Sequence, residues 1–200
     1  MCSQIASLVG ADAIVALQQT HSNFGMIINQ PLEQDQLYAG SGDFMITKTV
    51  GLALAIFTAD CIPLVIYSPL HKAVALVHIG WRGAVGEIVQ KVLDQAFFKN
   101  NRDTIKVFFG PAALDCCYKV QKDFLDQFDN QSKIECFIFK NEKIFYNNSR
   151  FVSLILKNLG ILELNIYTNY NICTICSEQY CSYRQDKEKA KRNVTVALLQ

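Results

Sequence analysis

The stretch "LALAIFTADCIPLVIYSPLHKAVALVHIGWRG" (residues 52–83) decides the fold of this chain. It contains three short apolar runs, at residues 52–57, 63–67 and 73–78, and each is bounded by turn-forming residues. Apolar runs of this length without polar alternation are typical of strands that are covered on both faces of a sheet. The segment "SPLHKA" between the last two runs predicts a hairpin turn. The stretch therefore predicts three buried strands, two of them joined by a hairpin.

Outward from this stretch, predicted strands alternate with predicted helices. Apolar residues at a helical period predict a helix over residues 85–98. This alternation indicates an α/β sandwich in which the loops after the strands carry the chemistry. Further strands are predicted at residues 13–18, 105–109 and 161–167, further helices at residues 3–9, 120–128 and 151–159, and an exposed loop at residues 30–42.

Composition limits the class of protein. Half of the 200 residues are apolar and 18% are charged, so one sizeable core can form, and we expect a single domain over residues 1–200. The formal charge of +1 argues against a nucleic-acid binder. No apolar run reaches the roughly 20 residues that cross a bilayer, and the N-terminus lacks the pattern of a signal peptide. We therefore expect a cytoplasmic protein whose eight cysteines are thiols or metal ligands rather than disulfides.

Two of the three histidines and one cysteine lie where a predicted strand gives way to a loop. They are His21, Cys61 and His78, whereas His71 lies in the predicted hairpin turn and is expected to be solvated. One cysteine with two histidines is a known ligand set of catalytic zinc. Their spacing leaves two other interpretations open, because these residue types also pack structurally and because Cys61 could be a nucleophile with His78 as its base.

Two arginines are candidate anion ligands. Arg82 lies between glycines at the start of a predicted helix, where free backbone donors favour negative charge, although a surface ion pair is the simpler interpretation. Arg184 follows a polar and aromatic stretch, and the basic run at residues 187–192 is predicted to be a solvated helix.

The remaining cysteine motifs carry no predicted chemistry. Cys116 and Cys117 are adjacent, so we expect their side chains to diverge and at most one of them to face a site. Cys173 and Cys176 have C-x-x-C spacing without a second such pair, and they are interpreted as packing or incidental thiols.

Taken in order, the segments "QQTHS", "TADCIPLVIYSP", "VHIGWRG", "GPAALDCCYKV" and "CSYRQDK" resemble the laccase-domain (YfiH-like) family. This family was once called multicopper polyphenol oxidases and is now regarded as purine nucleoside phosphorylases. The resemblance covers about residues 3–199 and implies an αβα-type α+β layered sandwich with a mixed sheet, related to cysteine hydrolases of the toxin-deamidase kind. It also implies a zinc ion bound by His21, Cys61 and His78. The N-terminal hairpin usual in the family is expected to be missing.

The activity that the resemblance implies is phosphorolysis of adenosine, inosine, guanosine and methylthioadenosine, with some adenosine deamination. The implied partners are purine nucleosides and phosphate, without nucleic acid or membrane, and the implied state is a monomer or homodimer. Arg82 and Arg184 are the candidates for binding phosphate, and Tyr118 and Tyr183 for flanking the base, while Trp81 is expected to pack in the core.

Three other functions remain open at this point. A metal-free hydrolase or deamidase would use Cys61 and His78 directly. A copper oxidase fits this sequence poorly, because such an enzyme needs more histidine ligands than the three histidines of this chain. A nucleoside-binding protein with little turnover would keep the site without the missing N-terminal element.

Overall fold

The computed structural model describes residues 2–33 and 36–200. In that part of the chain there are six α-helices, thirteen strands and several 3₁₀ turns. The helices, α1 to α6, are Cys2–Val9, Trp81–Val85, Ile88–Leu93, Asn130–Cys136, Asn148–Asn158 and Tyr183–Asp186. The strands, β1 to β13, are Ala13–Gln18, Gly25–Ile27, Tyr38–Ser41, Phe44–Thr47, Leu52–Thr58, Ile62–Ser68, Ala73–Ile79, Lys106–Phe109, Lys119–Val120, Phe137–Lys140, Lys143–Tyr146, Ile166–Tyr167 and Asn193–Ala197.

Most of the strands form two mixed sheets. The larger sheet has the order β12-β8-β6-β7-β4-β2, with the predicted antiparallel hairpin of β6 and β7 at its centre. The smaller sheet has the order β13-β5-β1-β3, in which β1 is parallel to both neighbours and β13 is antiparallel to β5. A third, short sheet joins β10, β11 and β9. The predicted layered α/β fold with a mixed sheet is confirmed, with two large sheets rather than one.

The two large sheets pack face to face and helices cover their outer faces. Leu54 and Met45, one from each sheet, share the core between them. Val92 and Leu156, from α3 and α5, pack on the other face of the larger sheet, and Ala6 of α1 packs on the smaller sheet. The layers therefore run helix, sheet, sheet, helix. This order explains why β7 is buried at all seven positions, as its uninterrupted apolar run predicted.

The predicted helix over residues 85–98 is confirmed only in part, because within that range only Val85, which ends α2, and α3 (Ile88–Leu93) are helical. Helix α2 ends before Gly86, and Glu87 has a left-handed backbone with φ of 63° before α3 begins. The apolar period continues through this break because Ile88 and Val92 pack on the same core as Ala84. Periodicity of burial alone therefore could not reveal the interruption.

Other boundaries also differ from the prediction. Only Ile166–Tyr167 is a strand in the predicted strand 161–167, since Glu163–Asn165 is a 3₁₀ turn. The predicted loop 30–42 contains β3. Residues 120–128 form the end of β9 and a 3₁₀ turn, because Phe124 and Phe128 pack with an aromatic cluster instead of lining one helix face. The basic run has only a 3₁₀ turn at Lys187–Lys189, where Lys187 has φ of 54°.

None of the helices in residues 2–33 and 36–200 has both the length and the hydropathy that crossing a bilayer requires.

Candidate functional site

A cavity of about 870 Å³ opens beside the ends of β1, β5 and β7. Its lining combines the polar loop residues that follow these strands with aromatic side chains from other loops. The fold thus brings together residues that are far apart in the chain. The cavity is lined by all seven predicted site residues, which are His21, Cys61, His78, Arg82, Tyr118, Tyr183 and Arg184.

His21, Cys61 and His78 form a compact cluster on the cavity wall. Their ligand atoms all lie within 4.8 Å of one another. The Cys61 Sγ is 3.7 Å from the His21 Nε2, and the two imidazole rings are nearly perpendicular with centroids 4.8 Å apart. His78 projects from the buried strand β7, whereas His21 lies in a turn with φ of 58°. One ion could therefore contact all three donors.

Asp43, which no sequence motif marked, positions both histidines through hydrogen bonds. Its buried carboxylate accepts a 2.7 Å hydrogen bond from the His78 Nδ1. The same carboxylate accepts hydrogen bonds from the backbone N–H groups of His21 and Ser22, at 3.0 and 2.5 Å. A proton held on the His78 Nδ1 leaves the lone pair of the Nε2 free to bind a metal, and metal-bound histidines usually donate their other ring N–H to a carboxylate in this way.

The electrostatics of the cluster favour a thiolate. Burial raises the pKa of Asp43, but hydrogen bonds from His78 and Ser22 outweigh it and hold that pKa well below its usual range. Burial lowers the pKa of His78, but hydrogen bonds with Asp43 and Cys61 raise it to about 9. Burial raises the pKa of the Cys61 thiol, but hydrogen bonds with His21 and His78 lower it to about 7. A thiolate, two imidazoles and an outer carboxylate fit a zinc ion with an open fourth position.

Gly80 leaves the space that this cluster occupies. A Cβ at Gly80 would lie 3.0 Å from the His21 Cδ2 and 3.3 Å from the Cys61 Sγ. The backbone of Gly80 is extended, with φ of −76°, so space and not conformation selects glycine here. This close approach explains the glycine that follows "VHI" in the sequence.

Three arginines contribute positive charge to the same cavity. The Arg184 guanidinium lies 4.4 Å from the Tyr118 ring centroid, and its Nη1 donates to the Lys119 carbonyl at 2.9 Å. Arg82 stacks on Trp81 at 4.6 Å, and because α2 has only five residues its guanidinium rather than the helix terminus would attract an anion. Arg192, which was not predicted, also lines the cavity. Planar guanidinium groups suit phosphate oxygens.

Two further side chains complete the wall. Trp81 packs edge-to-face on Phe124, as its predicted core role requires, and it also lines the cavity. Asn148, at the start of α5, is buried and donates from its amide to the Ile79 carbonyl at 3.2 Å. No motif singled out Asn148, because its place in the wall depends on the packing of α5 against β7.

A second cluster of potential ligands lies outside this cavity lining. The sulfur atoms of Cys116, Cys117, Cys173 and Cys176 all lie within 4.8 Å of one another. The expectation that at most one of Cys116 and Cys117 faces a site is therefore wrong, because the turn that contains both residues directs both sulfurs to one point.

Comparison with known proteins gives a family match and named relatives. Residues 2–200 match the family described as multi-copper polyphenol oxidoreductase laccase. A purine nucleoside phosphorylase of Borreliella burgdorferi is 32% identical over 178 residues, covering 86% of this chain and 74% of the relative. A purine nucleoside phosphorylase of Clostridium acetobutylicum is 32% identical over 182 residues, which cover 88% of this chain and 72% of the relative. An adenosine deaminase, RL5, of an unknown prokaryotic organism is 28% identical over 126 residues, which cover 60% of this chain and 48% of the relative.

Solved structures share the fold. The Bacillus licheniformis protein YfiH superposes with a TM-score of 0.84 at 24% identity, covering 98% of this chain and 79% of that one. The Neisseria meningitidis protein NMB0706 superposes with a TM-score of 0.81 at 24% identity, and the superposition covers 99% of this chain and 79% of that one.

Proposed function

Because this chain belongs to the multi-copper polyphenol oxidoreductase laccase family, we propose that it has the activity for which two of its relatives are named. Those relatives are named purine nucleoside phosphorylase, and the proposed enzyme is a zinc-dependent one. Its substrates are phosphate and the nucleosides adenosine, inosine, guanosine and methylthioadenosine, with deamination of adenosine as a side activity. The relative named adenosine deaminase supports the side activity.

The observation that carries this proposal is that one cavity holds both the Cys/His/His cluster and three arginines. Its volume of about 870 Å³ falls within the range of small-molecule sites. A nucleoside needs an apolar wall for its base, and a phosphate dianion needs guanidinium groups close to the ribose. The cavity offers both.

In phosphorolysis, a phosphate oxygen forms a bond to C1′ of the ribose while the bond from C1′ to the purine nitrogen breaks. The departing base takes up a proton, and the sugar leaves as ribose 1-phosphate or its methylthio analogue. Arg82 and Arg184 hold the phosphate and neutralise its charge as it approaches the ribose. The rings of Tyr118 and Tyr183 flank the base, and the cation–π contact of Arg184 with Tyr118 fixes these two groups relative to each other.

His21, Cys61 and His78 would hold the zinc ion, with Asp43 orienting the His78 imidazole and fixing the backbone of His21. When bound, zinc supplies a Lewis acid and lowers the pKa of water for the deamination side activity. An oxidase with several coppers would need further imidazoles, and the remaining histidine, His71, lies in the turn between β6 and β7.

The direct test compares His78→Ala with His71→Ala as a matched control. Zinc is measured by mass spectrometry, and adenine and ribose 1-phosphate are measured by chromatography after incubation with adenosine and phosphate. We expect His78→Ala to lose the cavity zinc and at least about 100-fold in phosphorolysis, within the range of transition-state contributions of such groups. His71→Ala should match the wild type. Full zinc content and full activity in His78→Ala would overturn the assignment.

The phosphate site has a separate test. Arg184→Ala should raise KM for phosphate more than KM for adenosine, since the guanidinium binds the anion. The partly buried Arg102, which pairs with Asp94 at 2.7 Å and does not line the cavity, offers the control variant Arg102→Ala. Equal effects of Arg184→Ala on both KM values would refute the phosphate role.

One observation favours a second candidate, a metal-free thiol hydrolase or deamidase. Cys61, His78 and Asp43 have the connectivity of a nucleophile, base and orienting acid. That enzyme would keep its activity in chelator and lose it on treatment with iodoacetamide. The zinc enzyme would lose its activity in chelator and, while zinc is bound to Cys61, would resist iodoacetamide.

A further inference from the structure

Four cysteines outside the cavity lining have the geometry of a metal site. The sulfur atoms of Cys116, Cys117, Cys173 and Cys176 lie within 4.8 Å of one another. The Cys116 and Cys176 sulfurs are 3.8 Å apart. Zinc–sulfur bonds of about 2.3 Å in a regular tetrahedron place sulfurs about 3.8 Å apart, whereas a disulfide requires about 2.05 Å. The observed distance therefore matches two ligands of one ion.

Backbone pairing joins the two loops that carry this cluster. Ala112 pairs with Cys173 in an isolated parallel bridge. The Ala112 N–H donates to the Ile172 carbonyl and the Thr174 N–H donates to the Ala112 carbonyl, both at 3.0 Å. Each half then turns, so that the sulfurs converge beyond the bridge. Four thiols that converge from two loops are a common ligand set of structural zinc sites.

We propose that Cys116, Cys117, Cys173 and Cys176 bind a second zinc ion, in a structural site. Binding releases the four thiol protons to solvent, and four zinc–sulfur bonds form without any change of oxidation state. Four protein ligands complete the tetrahedron, so no position is left for substrate. This inference does not depend on the reaction proposed for the cavity.

The site would tie together the loops that build one side of the cavity. Tyr118 directly follows Cys117 in the chain. From the other loop, the Thr174 hydroxyl donates to the Asp60 carboxylate at 2.7 Å, and the Arg184 backbone N–H donates to the same carboxylate at 2.6 Å. Asp60 precedes Cys61, so the two clusters are linked by one carboxylate. The second ion is therefore expected to position Tyr118 and Arg184.

The test is the zinc content of reduced protein, measured by mass spectrometry for the wild type and two cysteine variants. Cys176→Ser should bind about one zinc ion per chain fewer than the wild type. Cys181→Ser is the matched control, because Cys181 is half-buried and outside both clusters, and it should retain all the metal. The same loss of one ion is expected when Cys176→Ser is combined with His78→Ala. The result thus stands whether or not the cavity binds zinc.

A measurement on the wild type covers the case in which Cys176→Ser does not fold. Cys116 and Cys176 are exposed, yet in the zinc-loaded protein both should resist iodoacetamide and should react after a strong chelator is added. Unchanged zinc content in folded Cys176→Ser would overturn the proposal. So would rapid labelling of Cys116 and Cys176 before chelation, or an intact mass that shows a disulfide between them in protein purified with reductant.

Discussion

Replacing Asp43 by asparagine tests how the candidate metal site is held in place. Asp43→Asn keeps the size of the side chain and removes its charge and one of its two acceptor oxygens. The Oδ1 accepts from the His78 Nδ1 at 2.7 Å and from the His21 N–H at 3.0 Å. The Oδ2 accepts from the Ser22 N–H and hydroxyl at 2.5 and 2.7 Å. Whichever oxygen becomes an amide nitrogen, it faces groups that donate.

The size of the effect follows from these contacts. Hydrogen bonds to a charged group contribute about 1.5–3 kcal/mol each, so losing two destabilises the metal-free protein by at least about 3 kcal/mol. For a chain of this length each kcal/mol lowers Tm by about 2–4 °C, which predicts a fall of at least about 6 °C. Because the pKa of Asp43 is well below its usual range, the carboxylate is ionised at any pH at which the assay is run. Loss of an outer-shell carboxylate weakens metal binding by about 10–100-fold.

The assay pairs thermal unfolding of metal-free protein with zinc competition against a coloured chelator. Asp94→Asn is the control, since Asp94 is half exposed in an ion pair with Arg102 and should change Tm by less than about 4 °C. If Asp43→Asn kept the wild-type zinc affinity and a Tm within about 2 °C of the wild type, the reasoning that one carboxylate positions both histidines would be refuted.

Three further predictions concern single positions. In metal-free protein, the rate of Cys61 alkylation should increase with pH around a midpoint of about 7, because the two imidazoles favour the thiolate. The variant His21→Ala should move that midpoint to higher pH. An unchanged midpoint would contradict the role of His21. Gly80→Ala should weaken zinc binding by about tenfold or more, comparable to outer-shell losses, because its Cβ would displace His21 and Cys61; wild-type affinity would contradict this steric argument. Asp129 caps the N-terminus of α4 by accepting a hydrogen bond from the Ser132 N–H at 2.8 Å. Asp129→Ala should remove this cap and lower Tm by about 2–4 °C, measured by calorimetry. Phosphorolysis, measured by the chromatographic assay, should be unchanged.

The strands β5, β6 and β7 were predictable because burial on both faces leaves a signal in a single segment, whereas β2, β3, β4 and β13 were not predicted. The run at residues 52–57 became β5, and those at residues 63–67 and 73–78 became β6 and β7. The helices were less predictable, since a left-handed residue such as Glu87 interrupts a helix without interrupting its apolar period. Whether a segment with aromatic residues at 124 and 128 coils as a helix depends on the cluster against which it packs.

The ends of strands also indicated the three candidate ligands, but not the residue that orients them. Asp43 lies beside His78 because β4 pairs with β7, and the Asp43 carbonyl accepts from the His78 N–H at 2.8 Å. A single acidic residue before an apolar run has no local feature that marks this pairing. Arg192 and Asn148 likewise enter the cavity wall through long-range packing.

The amino-acid sequence by itself determined the layered α/β class and the family resemblance, and it located His21, Cys61 and His78 at strand ends, because these properties depend on local patterns of burial and on short motifs. Only the tertiary structure decided that Asp43 joins the two histidines and that Cys116, Cys117, Cys173 and Cys176 converge. The physical reason is that hydrogen bonds and ligand sets are contacts between atoms in space. Their partners are chosen by strand pairing and loop geometry, which a separation along the chain does not encode.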